Sequence, residues 1–127
     1  MIARMRITRL YTGDDGISHF EDVDVDLEDY GDAGQVSRLW RGPGVIFREV
    51  GADYELDFHV APRRQLVVNL TGSVEIDTGE ESRVFPAGSI MLAEDTTGKG
   101  HVSRNVDGQP RTCLFVPLDD GVGERQA

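Results

Sequence analysis

The chain has 127 residues, 39% of them hydrophobic and 28% charged, which suits one globular domain with a single core. Its formal net charge of -10 argues against binding to nucleic acid or to an anionic membrane surface, because both require clustered Lys and Arg. No apolar run approaches the ~18 residues of a membrane span, and the N-terminus lacks the apolar segment of a signal peptide, so we expect a cytoplasmic protein.

The first forty residues predict short strands separated by turns. Residues 5–11 alternate in β-type fashion and end at a Thr-Gly-Asp-Asp-Gly turn cluster over residues 12–16. Residues 22–27 alternate strictly between aspartates and apolar side chains, which predicts a strand with one solvated face. Aspartates in register on such a face form an ordinary wet surface, so we do not interpret them as a catalytic carboxylate array.

From residue 45 onward the chain predicts a series of short strands with tight turns between them. No stretch keeps a helical period or repeats another, so we expect an all-β sandwich or barrel of about ten short antiparallel strands. The one cysteine, Cys113, excludes an intrachain disulfide, and its apolar neighbours predict a buried structural thiol. A single domain would span residues 1–127, with N-terminal strands over 4–40, a barrel over about 45–117 and a loose tail over 119–127.

Two of the predicted strands carry polar side chains in a phase that indicates a pocket. Successive side chains of a strand point to opposite faces, so Gln65 and Asn69 share one face of the strand over 65–70, whereas its other face is wholly apolar and expected to be buried. Every second residue from His101 to Asn105 is also polar. Two polar faces from separate strands could line one cavity, or the amides could instead satisfy backbone groups or face water.

The orientation of His59 is left open by the same argument. Its neighbours in phase are Glu55 and Asp57, which alone would predict a solvated face and an exposed imidazole. Only its spacing from Gln65, described next, favours a side chain that points inward. His19 has no such pattern around it and is expected at the surface.

The spacing of these residues resembles the first signature motif of the cupins, which reads G-x5-H-x-H-x3-E-x6-G. Two residue types of that motif differ in this chain, and its leading glycine falls on Asp53. The positions that keep the spacing are His59, Ala61, Gln65 and Gly72.

The second cupin motif, G-x5-P-x-G-x2-H-x3-N, is also matched except at its proline, near which the chain has an acidic pair, and with two residues inserted before its second glycine. Each motif is short, but both occur here in order among predicted strands. The resemblance covers residues 45–117 and implies a cupin-like double-stranded β-helix, or jelly-roll barrel, with Gln65 pointing into its interior. The matching positions of the second motif are Gly88, Gly98, His101 and Asn105.

The resemblance also implies where a metal would bind, because a typical metal cupin uses three histidines and a carboxylate. Here one histidine is replaced by Ala61 and the carboxylate by the neutral amide of Gln65. Imidazoles suit Zn, Fe, Cu or Ni, but a divalent ion usually requires some negative charge nearby, so Zn, Fe, Mn and Ni stand only as candidate metals. The cofactor is therefore left unknown, with a divalent metal on His59, Gln65 and His101 as the candidate.

The segment from Glu94 to His101 is the most unusual stretch of the chain. It carries an acidic pair, two threonines and Lys99 at the expected rim of the barrel, where loops commonly hold functional residues. A tight Asx or Thr turn that only closes the barrel end is the alternative. Gly98-Lys99-Gly100 lacks the spacing of a phosphate-binding loop.

Three functions remain open at this point, all with a small molecule as partner. The first is an isomerase, lyase or dehydratase in which His101 or His59 acts as general base, with Glu94 or Asp95 as the orienting or acidic group. It would be similar to the sugar epimerases among the cupins, which work without metal. The second is a metal-dependent, dioxygenase-like cupin, and the third is a non-catalytic module that binds or senses a small ligand. We also expect a homodimer, because the apolar strand faces exceed what one small barrel buries. The candidate catalytic residues are His101, His59 and Glu94, and the candidate substrate contacts are Gln65, Asn69, Asp95 and Lys99.

Overall fold

The computed structural model describes residues 4–119, and strands dominate them. In this part of the chain the one helical element is a 3-10 turn over Gly31–Ala33, and no helix there could cross a membrane. Residues 120–127, most of the expected loose tail, lie outside the described range. The strands are β1 (Arg4–Thr12), β2 (Ser18–Asp26), β3 (Glu28–Asp29), β4 (Gln35–Val36), β5 (Ile46–Val50), β6 (Glu55–His59), β7 (Gln65–Thr71), β8 (Val74–Asp77), β9 (Ser82–Phe85), β10 (Ile90–Glu94), β11 (His101–Asn105) and β12 (Arg111–Pro117).

The strand order is that of a jelly roll. Two large sheets have the orders β2-β1-β10-β7-β12-β5 and β6-β11-β8-β9, and the last eight strands divide equally between them, whereas β3 and β4 form a separate two-stranded sheet. The prediction of an all-β, cupin-like double-stranded β-helix is therefore confirmed. It was wrong in one detail, because β1 pairs with β10 in parallel. These two strands are about eighty residues apart and share no hairpin, so no turn imposes an antiparallel pairing.

Two apolar clusters follow from the alternation of side chains along the strands. The first lies between the two sheets and includes Leu10, Ile76, Phe85 and Met91. The second lies behind the larger sheet and is centred on Leu92, one residue along from Met91 and therefore on the opposite face. The space between the sheets that the first cluster leaves unfilled is the cavity described below.

Apolar side chains remain exposed on the edge and outer face of the larger sheet. Phe47 on the edge strand β5 is 81% exposed and is aligned with Leu114 on β12, and Leu70 is 48% exposed. The expectation that the apolar face of residues 65–70 is buried is therefore wrong at Leu70. The second cluster, which includes Trp40, packs against Leu66 at the other end of that strand. The homodimer stays a prediction.

Gly100 holds the start of β11 close to β6 and is expected to tolerate no side chain. Its φ is +78°, and an added Cβ would overlap the carbonyl group of His59. We expect Gly100→Ala to lower the free energy of unfolding in urea by more than about 2 kcal/mol, because a left-handed φ alone costs about 1–2 kcal/mol. Gly108→Ala is the matched control, since Gly108 has a φ of +71° with open space around it. Equal losses in both variants would show that the overlap with His59 is unimportant.

Candidate functional site

A cavity of about 320 Å³ lies between the two sheets, at the lower end of the volumes usual for small-ligand sites. Part of the cavity wall is apolar and includes Val67, Val74 and Met91. The polar side chains that line it are His59, Gln65, Asn69, Ser89, His101 and Ser103, together with Arg48, Tyr54 and Arg111.

His101 belongs to a buried chain of hydrogen bonds. Its Nδ1 lies 2.6 Å from Oδ2 of Asp95, and Ser18 Oγ donates to the same oxygen at 2.7 Å. Because a carboxylate oxygen accepts, Nδ1 of His101 carries the proton and Nε2 is the basic atom of the neutral ring. Nε2 has no hydrogen-bond partner among residues 4–119, and the residue lines the cavity, so this nitrogen is available to a ligand.

Asp95 is fully buried behind His101 and is not a lining residue of the cavity. Its backbone carbonyl accepts a hydrogen bond from Ala61 N at 3.0 Å, which fixes the loop after β10 against the segment before β7. Its second oxygen, Oδ1, is buried without a partner among the described residues. The carboxylate therefore acts on His101, and the expectation that Asp95 contacts the substrate directly does not fit this position.

His59 points inward because β6 contains a β-bulge. His101 pairs with His59, but Ser103 pairs with Leu56, so two residues of β6, Asp57 and Phe58, lie opposite one residue of β11, Val102. The extra residue reverses the alternation, and His59 shares the cavity face with Leu56 rather than with Asp57. Phase alone therefore gave the wrong face, whereas the inward orientation implied by the cupin spacing is the one observed.

The imidazoles of His59 and His101 are neighbours, with ring centroids 4.4 Å apart and planes inclined by 57°. Nδ1 of His59 lies 2.8 Å from the carbonyl oxygen of Asp57 and donates to it, which leaves Nε2 as the basic atom of this ring too. Burial lowers the pKa of His59 below its ordinary value of 6.5, and the positive charge of Arg48 acts in the same direction. His59 is therefore neutral at neutral pH.

Gln65 and Asn69 share one face of β7, as their phase predicted, and that face lines the cavity, as the cupin resemblance implied. Both amides already make hydrogen bonds to other residues of the protein. Arg63 donates to Oε1 of Gln65 at 2.8 Å. Asn69 Nδ2 donates to the carbonyl oxygens of Gly72 at 2.7 Å and Phe85 at 3.1 Å, so this side chain braces the turn between β7 and β8. Its Oδ1 is buried and has no partner in the described chain.

Glu94 and Lys99 do not line the cavity. Ala93 faces inward, so its neighbour Glu94 faces the opposite side of the sheet, where Arg9 and Arg64 donate to its carboxylate. Burial alone would raise the pKa of Glu94, but the two arginines outweigh it and the pKa lies below the ordinary value. Lys99 is exposed and its Nζ lies 4.5 Å from the centre of the Phe58 ring. Neither residue is placed for the role that the sequence suggested.

A divalent metal does not fit the donors of this cavity. The two imidazoles are close together, but the position of the third is held by buried Ala61, and the oxygen of Gln65 already accepts from Arg63. No Asp or Glu lines the cavity within the described residues. The nearest carboxylate, Asp95, lies behind His101 and is bonded to its Nδ1, so it offers no ligand on the cavity side, and the lining carries two further cations, Arg48 and Arg111, which is unfavourable for metal binding.

We expect purified wild-type protein to hold well under one equivalent of metal per chain after dialysis against a mild chelator. Gln65→Glu alone should gain little, because the new carboxylate would pair with Arg63 rather than with a metal. The double variant Ala61→His, Gln65→Glu restores both missing ligands and should bind Zn or Mn more tightly than either single variant. Elemental analysis of the four proteins measures this. One tightly held equivalent in the wild type would contradict the prediction.

Four functional side chains of the cavity region escaped the sequence analysis. Ser18 reaches Asp95 across 77 residues of sequence, and nothing around it marks this contact. Arg111 could have been found, since it stands in phase with buried Cys113, and a charged residue in step with core positions is unusual. Arg48 and Tyr54 join it at one end of the cavity.

Neither a protein-family model nor a curated protein matches the chain. Among solved structures it is similar to that of a Salmonella typhimurium LT2 protein assigned to ethanolamine utilization as protein Q. The two share 12% identity at a TM-score of 0.39, with 94% of this chain and 99% of the other covered. This likeness is too distant to bear on function, and the fold assignment rests on the strand order.

Proposed function

We propose that this chain is a small cupin-type enzyme that uses histidine acid–base chemistry on a small molecule, in a reaction of isomerase, lyase or dehydratase type. The observation that carries the proposal is the buried chain from Ser18 through Asp95 to His101, which ends on an unpartnered Nε2 at the cavity surface. A carboxylate that orients an imidazole and favours its charged form is a recurrent arrangement of general bases.

The chemistry follows from the protonation states. Nε2 of His101 removes a proton from a C–H bond next to a carbonyl group of the substrate, and the electron pair passes to the carbonyl oxygen. The imidazolium so formed lies 2.6 Å from the Asp95 carboxylate, which stabilises its charge. In a hydroxy carbonyl substrate, delivery of the proton to the former carbonyl carbon, with transfer of the hydroxyl proton between the two oxygens, completes an isomerisation. If the substrate carries a hydroxyl group on the next carbon, the electron pair instead returns from oxygen to form a C=C bond, the hydroxyl group departs with the proton, and water is released in a dehydration.

His59 contributes as a neutral neighbour. Its lowered pKa avoids a second positive charge beside the imidazolium of His101, which would oppose the proton transfer. Its Nε2 accepts a hydrogen bond from a substrate hydroxyl, and this orients the reacting carbon toward His101.

Solvent exchange tests the proposal without knowledge of the product. The protein is incubated in D2O with a panel of small carbonyl and hydroxy compounds, and proton NMR follows the loss of C–H signals. We expect deuterium incorporation at the carbon next to the carbonyl for at least one compound, and none with His101→Gln, a variant of similar size that lacks the base. A compound that binds in the cavity without exchange or turnover in any member of the panel would favour the non-catalytic alternative.

A further inference from the structure

The end of the cavity beyond Ser103 contains a buried cation. Arg111, at the start of β12, is 3% exposed and lines the cavity. Its Nε donates to Oδ1 of Asn105 at 3.1 Å, which is a neutral acceptor. Within residues 4–119 no carboxylate pairs with Arg111, and burial lowers its pKa, with the charge of Arg48 acting in the same direction. A buried charge without a counter-ion is costly and is retained where a ligand or partner compensates it.

Arg48 on β5 reinforces this positive end. Its guanidinium carbon lies 4.9 Å from the centre of the Tyr54 ring, and that of Arg111 lies 5.6 Å from the same ring. Arg48 likewise has no ion pair in the described chain, whereas Arg9, Arg83 and Arg104 each pair with carboxylates elsewhere. The chain carries 23 Asp and Glu against 13 Lys and Arg, so two arginines at one cavity without an acidic neighbour are conspicuous.

We propose that Arg48 and Arg111 bind the carboxylate or phosphate group of the substrate. Planar guanidinium groups match both oxyanions and can donate two hydrogen bonds to either. The substrate class is then a small anionic carbonyl compound, such as an oxo acid or the phosphate ester of a hydroxy ketone. This inference adds a substrate class to the proposed function. The anion site itself does not depend on that function; only the assignment of the substrate's reacting carbon to His101 rests on it.

The separation of the two ends sets the size of that molecule. His101 and Ser103 lie on the same face of β11, roughly 7 Å apart along the strand, and Tyr54 bonds Ser103 through its hydroxyl at 2.9 Å. The arginines contact the Tyr54 ring, so the anionic group binds about two residues along the strand from the imidazoles. A reactive C–H bond a few covalent bonds away from the anionic group would reach Nε2 of His101.

Isothermal calorimetry with succinate, 2-oxoglutarate and inorganic phosphate tests the anion site directly. We expect at least one of them to bind, and Arg111→Gln and Arg48→Gln each to weaken that binding ten- to a hundred-fold, the usual effect of losing a charged hydrogen-bond donor. Comparison of the two carboxylates with phosphate identifies which oxyanion the site prefers. Arg83→Gln is the control, because Arg83 pairs with Asp22 on the surface and should leave the affinity unchanged.

Two further measurements distinguish the loss of an anion site from a loss of folding and from a failure of the proposed function. Removing an unpaired buried cation should not lower the melting temperature of ligand-free Arg111→Gln, and if that variant fails to fold, Arg48→Gln alone decides the result. His101→Gln should keep the anion affinity even if it loses all exchange activity, so the two proposals can fail independently. The inference is overturned if no anion binds, if both arginine variants bind as tightly as the wild type, or if succinamide binds as tightly as succinate.

Discussion

Replacing His101 by alanine should lower the turnover of the substrate by about 10²- to 10⁴-fold, the usual contribution of a positioned general base. The variant removes Nε2, the basic nitrogen that faces the cavity. It also removes the ring that the Asp95 carboxylate orients and whose positive charge that carboxylate balances. Steady-state rates measured with the substrate found by solvent exchange provide the test.

His19→Ala is the matched control for this experiment. His19 pairs with Asp15 at the surface and lies outside the cavity, so its loss should leave the rate unchanged. Because His101 is itself buried, far-ultraviolet circular dichroism of both variants must show an intact β fold. A folded His101→Ala protein that retains the wild-type rate would exclude His101 as the base.

Asp95→Asn is expected to lower turnover by a similar factor, about 10²- to 10⁴-fold, although Asp95 does not line the cavity. The carboxylate holds the proton on Nδ1 of His101 and balances the charge that forms during proton transfer. An asparagine of the same shape has no charge, and its NH₂ group can face Nδ1 and favour the opposite tautomer. Asp95 is therefore a positioning residue, and its effect should be visible in the ring itself.

Two measurements distinguish this role from a merely structural one. Nitrogen-15 NMR shifts of His101 should show the proton on Nδ1 in the wild type and a larger share on Nε2 in Asp95→Asn. Ser18→Ala removes only the second hydrogen bond to the same oxygen and should reduce the rate by no more than about tenfold. A fully active Asp95→Asn protein with an unchanged tautomer would contradict the assignment.

The sequence predicted the direction of side chains best in strands where they alternate regularly between the two faces. Gln65, Val67 and Asn69 face the cavity because β7 is regular over these residues, and the apolar partner face follows from the same periodicity. His101 could be placed because it opens a strand whose polar residues recur at every second position.

Alternation of side chains cannot be used across a β-bulge, because the extra residue reverses which face the following side chains occupy. The amino-acid composition does not reveal where such a bulge occurs. The bulge in β6 is what places His59 inside, and phase alone assigned it to solvent. The sequence could not distinguish Glu94 from Asp95 as the orienting partner of His101, for a related reason. Both are acidic neighbours in one segment, but the inward position of Ala93 directs Glu94 to the arginines behind the sheet, while Asp95 turns beneath His101. Their sequence gives no indication of this difference.

The parallel pairing of β1 with β10 has a consequence for how the protein matures. The β1–β2 hairpin leaves the ribosome before the other described strands, yet β10, its neighbour in the sheet, is made only about eighty residues later. An isolated hairpin is at best marginally stable in water, so Ser18 reaches Asp95 only after β10 has been synthesised and the hairpin has docked. Contacts of such high sequence separation form slowly. The contact of Ser18 with Asp95 should therefore form among the last steps of folding, and the proposed enzymatic activity should appear later than the β structure during refolding.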